Sequence, residues 1–200
     1  ETRISNEGVV PLCSSFDTVG PLTRTVEDAN LLLAALEGNI PVDLRGADLH
    51  GKRFAILETV ALQDVREAPS NGFVRAVEAL TRAGAEIVTI HAPEIEVAMA
   101  LSLPLYTTEA YGEWREVIEA SPDLMFDQIL ERFRAGASFS GPDYHEARNK
   151  LEECRAAWHA RVASYDAIIC PTAPILPPNK ERLLADHDYY VTENLLALRN

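Results

Sequence analysis

The sequence predicts an α/β fold, a mostly parallel or mixed sheet with covering helices. Three observations predict it. Arg53 to Leu57, Glu86 to Ile90 and Tyr165 to Cys170 are short apolar runs that read as buried strands. The stretches between them place apolar residues three and four positions apart, the helical spacing. A Gly84-Ala85 turn joins a helix to the second strand, which makes strand–helix–strand a βαβ unit with parallel strands and a right-handed crossover. No linker-like segment interrupts the chain, so residues 1–200 read as a single α/β region with a helical segment over about 94–164.

The elements follow in order. Gly8 to Pro21 is rich in turn formers and small polar residues and reads as an ordered loop after a short extended piece, Val9-Val10. Thr25 is placed to cap a helix, Asp28 three residues on makes a capping-box variant, and Gly38 is its stop. Leu31-Leu32-Leu33 is apolar on more than one side, which predicts a helix covered by other structure. Pro41 to Gly51 is a connector, and the first strand follows it. The second helix is predicted over about Asn71 to Ala83, with Phe73, Val77 and Leu80 on one stripe. Glu94 to Gly136 is helical in pattern, with breaks expected at Pro104 and Pro122. A long helix runs from Gly141 to about Ser164, carrying Tyr144, Ala147, Leu151, Cys154, Trp158 and Val162 on one stripe. Pro171 stops the last strand, and Pro174, Pro177 and Pro178 keep the next loop extended.

Composition excludes several classes. Apolar residues are 47% and charged residues 24% of 200, an ordinary globular balance that rules out a disulfide miniprotein, a collagen-like chain and wholesale disorder. No apolar run approaches the roughly 18 residues of a membrane span; the nearest, Ile95 to Tyr106, contains Glu96 and Pro104. The formal charge is −13, with 31 acids against 18 bases. The densest basic pair is Arg132 and Arg134, so direct binding to a phosphate backbone is not expected. Cys13, Cys154 and Cys170 form no C-x-x-C and read as reduced thiols of a cytoplasmic protein. The chain opens on Glu1 and stops at Asn200 inside a helical pattern, so it reads as cut at both ends.

The residues alone assemble no complete catalytic constellation. Asp186-His187-Asp188 is the one close acid–histidine cluster and reads as a polar turn, since it lacks further metal ligands. His145 and His159 fall off the apolar stripe of the long helix and read as solvated. Cys170 ends an apolar strand and, like Cys154, reads as a small buried hydrophobe. Ser14 and Ser15 have no glycine-rich oxyanion turn beside them and read as turn serines. Glu152-Glu153 points to solvent on one helical turn and is no glycosidase pair. No phosphate-cradling glycine loop is present.

One long segment adds a resemblance. Glu7-Gly-Val-Val-Pro-Leu-Cys-Ser-Ser-Phe-Asp-Thr-Val-Gly-Pro-Leu-Thr-Arg-Thr-Val-Glu-Asp28 resembles the stretch that follows the catalytic core of amidase signature enzymes. There, G-x-x-P-x-S-x-S-x-D-x-x-G-P leads into a helix beginning R-T-V-x-D. Gly8, Pro11, Ser15, Asp17, Gly20, Pro21, Arg24, Val26 and Asp28 match, and Cys13 replaces the usual serine. Weaker likenesses follow in the family's order: Gly51-Lys-Arg-Phe-Ala-Ile-Leu57, Ala79 to Val88, Asp166-Ala-Ile-Ile-Cys-Pro-Thr-Ala-Pro174, and Leu198-Arg-Asn200.

The resemblance implies a fragment of the amidase signature fold, from an enzyme that cleaves a carboxylic amide through a Ser–cis-Ser–Lys triad, with backbone N–H groups holding the oxyanion. It implies no metal or organic cofactor. The triad residues lie upstream in the family. Lys52, Lys150 and Lys180 match no family position, so no catalytic residue is carried over and this chain alone is expected to be inactive. Three residues are put forward as substrate-binding. Asp17 lies in a loop near the family's active centre, where a loop-locking Asx turn is the favoured competing role. Arg132 resembles an arginine that binds substrate carboxylate in the glutamine-using branch, against the more ordinary role of a salt-bridged surface arginine. Thr172 follows a strand end where open α/β sheets present ligands, and a structural role there is equally open. Specificity is expected to vary within Glu94 to Gly136.

The implied partners are a small-molecule amide and either a second copy of the chain or amidotransferase subunits, with no membrane and no direct nucleic-acid contact. The amidase subunit of a tRNA-dependent amidotransferase is the second reading, and a triad-less module that only binds a small molecule is the third. A cut chain is further expected to leave sheet edges unpaired and the Leu31 to Leu36 helix face exposed.

Overall fold

A computed structural model describes residues 3–177 and 180–181. Asp186-His187-Asp188 and Leu198-Arg-Asn200 lie outside the described residues. The described residues divide into two compact units, one within 1–47 and 100–150, the other within 48–99 and 151–200.

The second unit holds the sheet. Strand β1 (Arg53–Glu58) is central, between β2 (Glu86–His91) and β3 (Ala167–Ile169), and both pairings are parallel. The register sets Ala55 opposite Val88 and Ile168. Ala55 is wholly buried, as a small residue must be where helices close on a central strand. The βαβ unit predicted from the Gly84-Ala85 turn is thus present. Its crossover helix, α2 (Glu67–Arg82), starts four residues before the predicted Asn71. Pro69 is the third helical residue, where its missing N–H would have had no intrahelical partner. Gly84 takes φ +91°, and a Cβ there would press on the His50 backbone. Strand β3 is shorter than predicted. Asp166 stops short of it, its carboxylate accepting from the Arg53 N–H at 2.8 Å and from Lys52 Nζ at 3.0 Å.

In the first unit, α1 (Val26–Glu37) is capped as the sequence requires. Thr25 Oγ1 accepts from the Asp28 N–H at 3.1 Å, and Gly38 closes the helix at φ +69°. The cover predicted for the leucine run is not found among the described residues. Leu31 is 56% exposed, and Leu32 and Leu36 are exposed with it, because no other helix or strand among the described residues packs extensively on α1.

Helices α3 (Pro93–Ala100) and α4 (Ser102–Ala120) meet at Leu101. Pro104 therefore does not break a helix; it is the third residue of α4, again a position with no donor to lose. Pro122 does break one, opening a short 3-10 turn before α5 (Asp127–Ala135). Helix α6 (Gly141–Val162) begins at a reciprocal cap, with Ser140 N–H donating to Asp143 Oδ2 at 2.8 Å. Its predicted stripe is correct: Ala147, Leu151 and Cys154 are buried while His145, His159, Glu152 and Glu153 are exposed. Glu94, at the start of α3, is buried and forked by Arg161 of α6, with Nη2 to Oε2 at 3.0 Å. Among the described residues no helix is long and apolar enough to cross a membrane.

Candidate functional site

The Gly8 to Pro21 segment is an ordered loop built on two carboxylates. Asp17 Oδ2 accepts from the Leu12 N–H at 2.8 Å and the Cys13 N–H at 3.0 Å. The Cys13 carbonyl in turn accepts from the Phe16 and Asp17 N–H groups. Ser14 and Ser15 therefore sit in a closed turn, as predicted, and Asp17 fills the loop-locking role weighed for it.

The second carboxylate is Glu109 of α4. Its Oε2 accepts from Cys13 Sγ at 3.3 Å and from the Ser15 N–H at 3.0 Å. Its Oε1 accepts from Tyr144 Oη of α6 at 2.6 Å. Further contacts seat the loop: Trp114 Nε1 donates to the Pro11 carbonyl at 2.7 Å, and the Phe16 and Tyr106 rings stack with centroids 4.8 Å apart. Burial opposes the Glu109 charge, yet donation by Tyr144, Ser15 and Cys13 outweighs it and holds the carboxyl below its ordinary range. The same burial, with Glu109 as hydrogen-bond acceptor and neighbouring charge, pushes the Cys13 thiol up to about 12. Cys13 is therefore a proton donor here and no nucleophile.

Glu109 is not singled out by any motif in the sequence. One signal points to it. It stands one helical turn beyond Leu105, which is 1% exposed, and beside buried Ala110, so a charge interrupts a core-facing stripe.

Arg132 of α5 is exposed and makes no ion pair among the described residues. The ion pair expected there belongs to Arg134, whose Nη2 reaches Glu119 Oε2 at 2.7 Å. Asp17 and Arg132 lie in the same unit, and among the described residues no hydrogen bond or ion pair joins them.

Thr172 lies in the other unit, three residues beyond β3, on a groove of about 390 Å³. Phe73 and Gly72 of α2 form one wall, and Cys170, Pro171, Thr172 and Ile175 the other. The Arg66 N–H fixes this wall by donating to the Pro174 carbonyl at 2.8 Å. Cys170 corrects an expectation: it is exposed, because β3 ends at Ile169 and the chain leaves an edge strand there. The groove presents an apolar surface with a hydroxyl and a thiol on its rim. Among the described residues no group of His, Cys, Asp and Glu is placed to hold a metal ion.

A family model described as Amidase matches residues 1–199. The chain belongs to the amidase signature family. A glutamyl-tRNA(Gln) amidotransferase subunit of Exiguobacterium sp. is 30% identical over 86% of this chain and 43% of its own length. An amidase of Pseudomonas putida is 27% identical over 86% of the chain and 40% of its own length. An amidase crystal structure superposes with a TM-score of 0.79 at 27% identity, covering 89% of this chain and 40% of that one. The chain thus spans about two fifths of the length of the relatives it matches. The expected family and fold are both found.

Proposed function

We propose that these residues form the substrate-side part of an amide hydrolase whose Ser–cis-Ser–Lys triad lies on chain outside them. The Gly8 to Asp28 segment carries this reading: it holds the family motif ungapped, in a loop locked by Asp17 and gripped by Glu109. Asp17, Arg132 and Thr172 are the substrate-facing residues. Arg132 suits a carboxylate on the substrate, since its guanidinium is exposed and unpaired among the described residues. The open Leu31, Leu32 and Leu36 face supports further chain packing on α1. The substrate is a small amide, and the compartment is the cytoplasm.

The test compares two proteins. The full gene product is expected to hydrolyse members of a panel of simple carboxylic amides, and the 200-residue chain none of them. Turnover by the short chain, or an upstream coding sequence without a lysine and a Gly/Ser-rich segment, overturns the reading.

The relatives described as glutamyl-tRNA(Gln) amidotransferase subunits favour a second reading, in which the parent works inside a tRNA-dependent complex. Co-purification with partner subunits separates the two, because a lone, active parent removes it.

A further inference from the structure

We infer that Glu109 is a positioning residue for the amide-hydrolysing centre, acting through the Pro11 to Asp17 loop; this rests on the function proposed above. Glu109 is partly buried and has no ion-pair partner among the described residues. Its charge is held instead by uncharged donors, two of them from the loop. The loop has a seat without Glu109, in the Trp114 hydrogen bond to the Pro11 carbonyl and the Phe16–Tyr106 stack. The carboxylate adds register. Cys13 Sγ and the Ser15 N–H converge on one oxygen, so a shift of the loop by a single residue breaks both bonds.

Cys13 also links the two carboxylates, because its own N–H is held by Asp17 Oδ2 while its thiol is held by Glu109. Asp17 Oδ1 accepts no hydrogen bond among the described residues, which leaves that oxygen for a substrate. Glu109 thereby sets where Asp17 Oδ1 stands. Displacing a positioned group by about 1 Å costs on the order of a hundredfold in rate.

The experiment uses the full gene product, and wild-type amide turnover is measured first; its absence defeats the proposed function before any variant is read. Glu109→Ala, still seated by its ring contacts, is expected to lose about tenfold or more in kcat/KM. Glu109→Gln keeps a carbonyl oxygen for Cys13 and Ser15 and is expected to stay within about threefold of wild type. In an Asp17→Asn background, Glu109→Ala is expected to cost no more than about twofold, since the group it positions is already altered. A folded Glu109→Ala with wild-type kcat/KM overturns the inference. So does a Glu109→Gln as impaired as Glu109→Ala, or an equal loss in both backgrounds. Should Glu109→Ala not fold, Tyr144→Phe takes its place: a loss that vanishes in the Asp17→Asn background supports the inference, and no loss overturns it.

Discussion

Gly136 packs directly on the carbonyl oxygen of Thr107, so closely that a Cβ at Gly136 would overlap it. The 3-10 turn after α5 approaches the backbone of α4 at this point, and Gly136 is buried there. The obstacle is backbone, which has no rotamer with which to yield.

Gly136→Ala should therefore destabilise the fold by at least about 2 kcal/mol, an overpacking cost without relief. Urea unfolding of the two proteins measures it. An unchanged midpoint would mean that α4 and the turn are not in contact.

Cys13 is the loop's sulfur donor to Glu109. Cys13→Ser retains a donor and should stay within about 1 kcal/mol of wild type, whereas Cys13→Val leaves a partly buried acceptor one donor short and should cost about 1–2 kcal/mol. The wild-type thiol has a sign of its own. Its folded pKa is raised from 9.0 to about 12, so between those values the folded state holds a proton that the unfolded state has lost. This thiol lowers stability as pH rises through that window, and the fall should be shallower in Cys13→Val, where the raised tyrosines Tyr106 and Tyr144 still contribute. Thermal melts at several alkaline pH values read both effects.

Glu94 is buried against Arg161, whose hydrogen bonds hold its carboxyl below the ordinary range. The stabilisation is present above the unfolded carboxylate pKa and is lost as pH falls through the lower folded value. Arg161→Ala should destabilise the protein at neutral pH and do so less in acid, where Glu94 is neutral. Chemical unfolding at pH 7 and in acid tests this; an equal cost at both would assign Arg161 a packing role alone.

Thiol reactivity should divide the cysteines. Cys170 is exposed, and Cys13 and Cys154 are buried. A thiol reagent should label Cys170 rapidly in the native protein and the other two only after denaturation. Peptide mapping identifies the sites, and rapid native labelling of Cys13 would contradict the burial of the loop.

Much of the fold is legible in the sequence because its signals are local. Thr25, Asp28 and Gly38 announce α1 through capping chemistry, and the α6 stripe repeats over enough turns to leave no other period. Pro104 reads as a breaker, yet it occupies the first turn of α4, where proline forfeits no hydrogen bond, and Pro69 sits likewise in the first turn of α2, which starts earlier than predicted. Cys170 differs because an apolar run does not reveal which of its residues leaves the sheet. At the site, the loop motif is plain, and Asp17 with it. Glu109 lies 92 positions beyond Asp17 and meets the loop only through tertiary packing, which no spacing rule encodes.

The bare leucines of α1 carry a practical consequence. Leu31, Leu32 and Leu36 form the kind of sticky stripe that holdase chaperones seize and that drives concentrated samples toward aggregation. Expressed in isolation, the polypeptide should bind a solvatochromic dye such as ANS strongly, and a solubilising carrier or a complementary segment supplied in trans should quench that signal.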